Sequence, residues 1–243
     1  YRSKENRAAD EARDPLILLR ARVTAAGNMN DEEVDALIAE QYARVDDIAN
    51  RVVKSAAPDP ASAYSHVLAP PAASEANAQS LETKELTYVQ SVTTALRDIL
   101  ERDPKSILYG EDVGKSGGIF QATRYLQRDF GADRVFDMPI AENAILGSAV
   151  GAAIGGLKPI VEIMWADFIF VALDQLINKA ANIRYITGGT TNVPMVVRTQ
   201  QGVTPGSCAQ HSQSIEAILA HIPGLKVALA ATAQDAYTLL RAA

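Results

Sequence analysis

From Leu86 onward, helical hydrophobic periods alternate with short apolar runs, and this alternation constrains the fold more than any other feature of the chain. The helical periods cover Thr87–Arg102, Gln121–Phe130, Asn143–Gly155, Asp167–Tyr185 and Gln234–Ala242. The first stops ahead of Pro104, because a residue before proline is pushed out of the α region. The second stops at Gly131 and the fourth at Gly188-Gly189. Between them lie strand-like runs: Ile107-Leu-Tyr-Gly, Val135-Phe, Pro159-Ile-Val-Glu-Ile-Met, Met195-Val-Val-Arg and Lys226-Val-Ala-Leu. Strands alternating with helices predict an α/β fold, a parallel sheet with helices on both faces. Ligands of such sheets sit beyond the carboxyl ends of the strands. That rule selects Glu111-Asp112, Glu142, Asp167-Phe168 and the segment Gln200–Gln213.

Upstream the texture differs. Residues 1–57 read as a charged helical arm. Asn30-Asp-Glu-Glu supplies a cap residue followed by acids at the positive end of a helix. Val34, Leu37, Ile38, Val45, Ile48 and Val52 follow at helical spacing. The stripe is narrow, and the arm is expected to pack on another surface. Residues 58–85, rich in Ala, Pro, Ser and Asn, read as a linker. Residues 86–243 form the α/β domain, which is expected to be cut short at Ala243 within a helical pattern. The absence of an initiator Met points to a fragment or a processed product.

A net charge of −6 argues against nucleic-acid binding, which needs a basic face. The single cysteine, Cys208, rules out an internal disulfide framework and suits a reducing cytoplasm. No apolar run is long enough to span a bilayer, and Tyr1-Arg-Ser-Lys-Glu has no signal-like apolar core.

Glu142 follows the short apolar segment Arg134-Val-Phe-Asp and opens a run of small residues, Ala144 to Gly156. A carboxylate at such a strand-to-helix junction is a candidate for acid/base work on a bound heterocycle. The plainer account is a first-turn acid that complements the helix dipole. Gly110-Glu-Asp-Val-Gly with Gly117-Gly118 lacks the spacing of either a P-loop or a dinucleotide fingerprint and reads as a strand end with tight turns. His211, in Ala209-Gln-His-Ser-Gln-Ser, is either a solvent-facing loop residue or a proton donor. Three scattered histidines do not make a metal cluster. Cys208 could pair with His211 as a nucleophile, but nearness in sequence is weak evidence for such a pair. Trp165 and Phe168 flank Asp167, as core or as rings against a planar ligand.

Taken in order, Leu86-Thr-Tyr, Gly110-Glu-Asp-Val-Gly, Gly117-Gly-Ile-Phe, Arg134-Val-Phe-Asp, Pro139-Ile-Ala-Glu, Ala166-Asp-Phe, Asp174-Gln, His211-Ser-Gln-Ser and Pro223-Gly-Leu-Lys-Val resemble one family. It is the beta subunit of the thiamin diphosphate-dependent decarboxylating components of 2-oxo acid dehydrogenase complexes, of pyruvate, branched-chain or acetoin type. The resemblance covers the transketolase-like pyrimidine-binding domain. Residues 1–70, through Tyr1-Arg-Ser-Lys-Glu, Arg13-Asp-Pro-Leu and Pro58-Asp-Pro, resemble the tail of the partner alpha subunit. The pair implies a fused alpha–beta protein of which this chain is the middle.

The resemblance implies that Glu142 shares a proton with the aminopyrimidine of thiamin diphosphate. It also implies that Phe168 packs at that ring and that His211 assists decarboxylation or acyl transfer to lipoyl groups. It implies a potassium ion held through the backbone carbonyls of Met195 and Ala243. Mg2+ and the diphosphate are expected on an alpha-type diphosphate-binding domain, in cis or in trans, whose Gly-Asp-Gly motif has no counterpart here. The other implied partners are a beta-type C-terminal domain, the lipoyl acyltransferase core and the 2-oxo acid substrate. Two alternatives remain: another thiamin enzyme of transketolase type, which shares the acid but not the His-Ser-Gln-Ser context, or a non-catalytic assembly subunit. Gln200-Gln201 stands where relatives often carry Pro with an aromatic or Asn, and its meaning is open at this level.

Overall fold

The computed structural model of the chain describes residues 3–70 and 85–243. It divides into two compact units, Tyr1–Pro60 and Ala61–Ala243.

The described residues of the first unit hold three helices: α1 (Lys4–Glu11), α2 (Pro15–Ala25) and α3 (Asp31–Val53). Pro15 opens α2, where its missing N–H costs nothing, and the Asp14 carboxylate caps the Leu16 amide. Asn30 and Glu33 form a full capping box at the start of α3. Arg20 of α2 reaches Asp31 and Asp35 of α3 at 2.8 and 2.6 Å. Leu37, Ile38, Val45, Ile48 and Val52 of the predicted apolar stripe are exposed.

The predicted linker is described at residues 58–70 and 85. Pro60–Tyr64 forms a 3-10 turn, and the Leu68 carbonyl accepts from Arg184 Nε at 3.3 Å. The rest of that segment, 71–84, lies outside the described residues.

Helix α4 (Tyr88–Arg102) begins with a Thr87/Gln90 capping box. Its buried face, Val92, Ala95, Leu96 and Leu100, recurs at three- and four-residue intervals. Strand β1 (Ser106–Gly110) follows. Arg134 joins helix and strand by donating to the carbonyls of Leu100, Asp103 and Ser106 at 2.7–3.1 Å, which satisfies acceptors at the end of α4 and the first carbonyl of β1.

The predicted 121–130 helix shortens to α5 (Leu126–Phe130). Phe120, Gln121 and Tyr125 all take left-handed backbone conformations, with φ of 54°, 63° and 68°, so helical geometry cannot start before Leu126. Strand β2 (Val135–Asp137), helix α6 (Glu142–Ile154) and strand β3 (Lys158–Trp165) match their expected places.

The long predicted helix after β3 is instead three pieces. They are a 3-10 helix (Ala166–Ala172), a π-helix (Asp174–Ala181) and the short α7 (Ile183–Ile186). Strand β4 (Val196–Gln200), helix α8 (Glu216–Ala220) and helix α9 (Ala233–Ala242) complete the order. The predicted strand Lys226–Leu229 is absent: the segment forms no ladder, and Val227 and Leu229 are exposed. Its apolar residues make it strand-like, but among the described residues no strand pairs with it.

The four-stranded sheet has the order β2-β1-β3-β4 and is parallel throughout. One face packs Tyr109, Val161 and Ile163 against α6 residues Ile145, Leu146 and Ala149 and the 3-10 residues Ile169 and Ala172. The other packs Leu108, Val135 and Ile160 against Val92, Leu96 and Leu100 of α4, Leu126 of α5 and Ala236 of α9. Gly110 is required by close strand contact, because a Cβ there would lie 2.4 Å from the Glu162 carbonyl oxygen. No helix among the described residues is long and apolar enough to cross a membrane.

Candidate active site

All four strands run the same way, so their carboxyl ends share one edge of the sheet. β1 delivers Glu111 to that edge, β2 leads through Pro139-Ile-Ala to Glu142, β3 leads to Asp167 and Phe168, and β4 leads to the loop holding His211.

Glu142 is the first residue of α6 and is 8% exposed. Ala141 provides no side-chain cap, so the acid is the charged group nearest the positive end of the helix in its own first turn. Glu111 is equally buried, and its Oε1 has no hydrogen-bond partner among the described residues. Burial first, then the negative charges of Glu142 and Asp112, hold the Glu111 carboxyl above its ordinary range. The site therefore contains two interacting acids, a pairing the sequence reading placed only on a common edge.

Beneath them Tyr109 stacks on Phe136 at 4.8 Å, and its hydroxyl lies 3.1 Å from Ser148 Oγ of α6. Burial pushes the Tyr109 phenol up. This contact ties β1, β2 and α6 together and fixes the strand ends that carry the acids.

An aromatic corner surrounds His211. Its imidazole meets Trp165 at 5.3 Å and 90°, and Phe168 at 5.3 Å and 85°. Phe120 adds a further ring 6.0 Å from Trp165. These edge-to-face geometries are the favoured ones for aromatic quadrupoles. The pairing of β3 with β4 slips between Ile163 and Trp165, and such a bulge re-aims the side chains beside it. The sequence offers Trp165 as core or as a ring against a planar ligand, and the structure sets it against His211. Phe120 was missed, since its place depends on a left-handed backbone that nothing in its side chain announces.

Asp167 is 8% exposed; its Oδ1 accepts from the Gln213 amide at 3.4 Å, and its Oδ2 is buried without a partner among the described residues. Cys208 is exposed and its thiol donates to the Gly206 carbonyl at 3.6 Å, so no Cys–His pairing is seen. Met195 precedes β4 and is half-buried, and Ala243 follows α9 with its amide bonded to the Leu239 carbonyl at 3.1 Å. Among the described residues, no group of three His, Cys, Asp or Glu side chains could hold a metal ion.

Comparison with known proteins agrees with the parallel α/β architecture. Residues 84–243 match the family described as transketolase, pyrimidine binding domain. The 2-oxoisovalerate dehydrogenase subunit beta of Bacillus subtilis is 44% identical over 158 residues, covering 65% of this chain and 48% of that protein. The pyruvate dehydrogenase E1 component subunit beta of Acholeplasma laidlawii gives the same identity and coverage, 44% over 158 residues. The mitochondrial pyruvate dehydrogenase E1 component subunit beta-1 of Oryza sativa subsp. japonica is 42% identical over 172 residues, 71% of this chain and 46% of its own length. The chain spans about half the length of these curated relatives. A parallel sheet that gathers a buried acid pair at its carboxyl edge, with a family match across the whole of that sheet, places the chain in the transketolase pyrimidine-binding domain family.

Proposed function

We propose that the chain contributes the pyrimidine-binding half of the active site in the decarboxylating component of a 2-oxo acid dehydrogenase. The observation that carries this reading is the buried acid pair Glu142 and Glu111 at the carboxyl edge of the sheet. The names of the relatives, which include both 2-oxoisovalerate and pyruvate dehydrogenase beta subunits, support the reaction class.

The donor set fits the aminopyrimidine of thiamin diphosphate. Among the described residues, Glu111 Oε1 and Asp167 Oδ2 are buried acceptors without partners, a state that favours a ligand carrying N–H groups. When bound, that cofactor supplies the electron sink that 2-oxo acid decarboxylation needs. Glu142 holds or releases a proton at a ring nitrogen. Glu111, whose carboxyl is held above its ordinary range by burial and by the charges of Glu142 and Asp112, lies at the same edge of the sheet. Phe168 offers a ring face to a planar group, and the same ring limits the freedom of the His211 imidazole. His211 stands ready as a proton donor or as a stabiliser of developing negative charge.

The diphosphate and Mg2+ belong, in this account, to an alpha-type domain in cis or in trans. Met195 and Ala243 offer backbone carbonyls of the kind potassium takes. A beta-type C-terminal domain and a lipoyl acyltransferase core complete the assembly. The test is a substrate panel with the alpha-type partner and thiamin diphosphate present. CO2 release from pyruvate or 2-oxoisovalerate is the expected result. No release from either, with turnover of ketose phosphates instead, would replace this reading with a transketolase-type one.

A further inference from the structure

We propose that Gln201 is a positioning residue for His211, acting by closing the base of the loop that carries it. The inference rests on the role proposed above for His211. Gln201 is the first residue after β4 and is half-buried. Its Oε1 accepts from the Ile215 amide at 3.2 Å, and its Nε2 donates to Glu216 Oε2 at 2.8 Å. Ile215 is 2% exposed and belongs to the core on the α6 face of the sheet, while Glu216 opens α8. One side-chain amide thus uses its acceptor and its donor together to pin the far end of the loop against the end of β4.

Two contacts extend the closure. The Gly202 amide donates to the Gln213 carbonyl at 3.3 Å, and the Gln213 amide donates to Asp167 at 3.4 Å. Between these fixed ends, residues 203–206 and 208–210 are exposed, and Cys208 is left-handed at φ 55°. Such a segment has little packing of its own to hold His211 between Trp165 and Phe168, so the fixed base determines where the ring sits. Losing the clamp leaves the buried Ile215 amide without its acceptor and frees the loop from its anchor. A ring displaced by about 1 Å loses much of its catalytic value.

The experiment uses the assembled enzyme with thiamin diphosphate, and kcat and KM for pyruvate and 2-oxoisovalerate. Gln201→Ala should lower kcat by roughly tenfold to a hundredfold and change KM by less than about threefold. Gln201→Glu alone sets two carboxylates against each other and should show a similar loss. Adding Glu216→Gln to it restores a donor–acceptor pair in the reverse sense and keeps an acceptor for the Ile215 amide, so kcat should return to within about threefold of wild type. In a His211→Ala background, Gln201→Ala should cost less than about twofold more, because its effect passes through the histidine. An unchanged kcat in Gln201→Ala, no recovery in the reciprocal pair, or a fully additive loss would each overturn the proposal. Near-normal turnover in His211→Ala would instead remove the reading of His211 on which the proposal stands.

Discussion

Glu111 and Glu142 are two buried acids at the carboxyl ends of adjacent strands, and the charge of Glu142 adds to burial in holding the Glu111 carboxyl above its ordinary range. A group whose folded-state pKa is raised stabilises the fold below its unfolded pKa and loses that contribution as pH rises through the folded value. Glu111 therefore weakens the fold at neutral pH relative to acid pH. Glu111→Gln should raise the thermal midpoint by roughly 2–4 °C at pH 7–8 and by little or nothing near pH 4, as read by circular dichroism melts at each pH. An equal gain at both would show that Glu111 does not titrate as described.

Across the sheet, Glu162 of β3 and Arg198 of β4 occupy paired register positions and form a buried ion pair. Glu162 is 1% exposed, so removing its partner strands a charge in the interior. Arg198→Met is expected to cost about 3–5 kcal/mol by denaturant unfolding. The double substitution Glu162→Leu with Arg198→Met should recover most of that loss, because an apolar pair needs no compensation for desolvation.

Trp165 is expected to tolerate Phe better than Leu. Phe keeps an aromatic edge for the His211 imidazole, whereas Leu removes a contact of about 0.5–1.5 kcal/mol. In the assembled enzyme this predicts a kcat roughly twofold to tenfold lower for Trp165→Leu, with Trp165→Phe closer to wild type than Leu. Steady-state kinetics of the two variants decides the matter.

Gly110→Ala should fail for a reason unrelated to catalysis. The added Cβ would collide with the Glu162 carbonyl, a backbone atom fixed by the ladder between β1 and β3. A destabilisation of about 1–3 kcal/mol, measured by thermal or denaturant melting, is the expected outcome.

The parts of this fold legible in sequence were those written in local patterns. The alternation of strands and helices gave a parallel sheet, and the rule about carboxyl ends brought Glu111, Glu142, Phe168 and His211 to one edge. Three features were not legible for physical reasons. The Asp167–Tyr185 stretch joins an overwound 3-10 segment to an underwound π segment, and the two average to a period close to that of an α-helix. The left-handed residues Phe120, Gln121 and Tyr125 obey tertiary constraint against their own preference, so helix propensity misplaced the start of α5. Lys226–Leu229 has the composition of a strand, but strand formation needs a neighbour to pair with, which composition cannot supply. The acid pair was half legible: each member could be placed on the edge, while their mutual influence depends on burial that only the fold creates. Gln200-Gln201 carried no meaning in sequence until the Ile215 and Glu216 contacts were seen.

The central claim is that Glu142 is the proton partner of the bound pyrimidine. Its most direct test is the rate of 2-oxo acid decarboxylation by the assembled enzyme carrying Glu142→Gln, measured beside its thermal melt. Gln keeps the shape and the hydrogen-bonding reach but cannot give up or take a proton. The account predicts turnover reduced by about a hundredfold or more, with a melting curve close to that of the wild type. Near-normal turnover in that variant would contradict it.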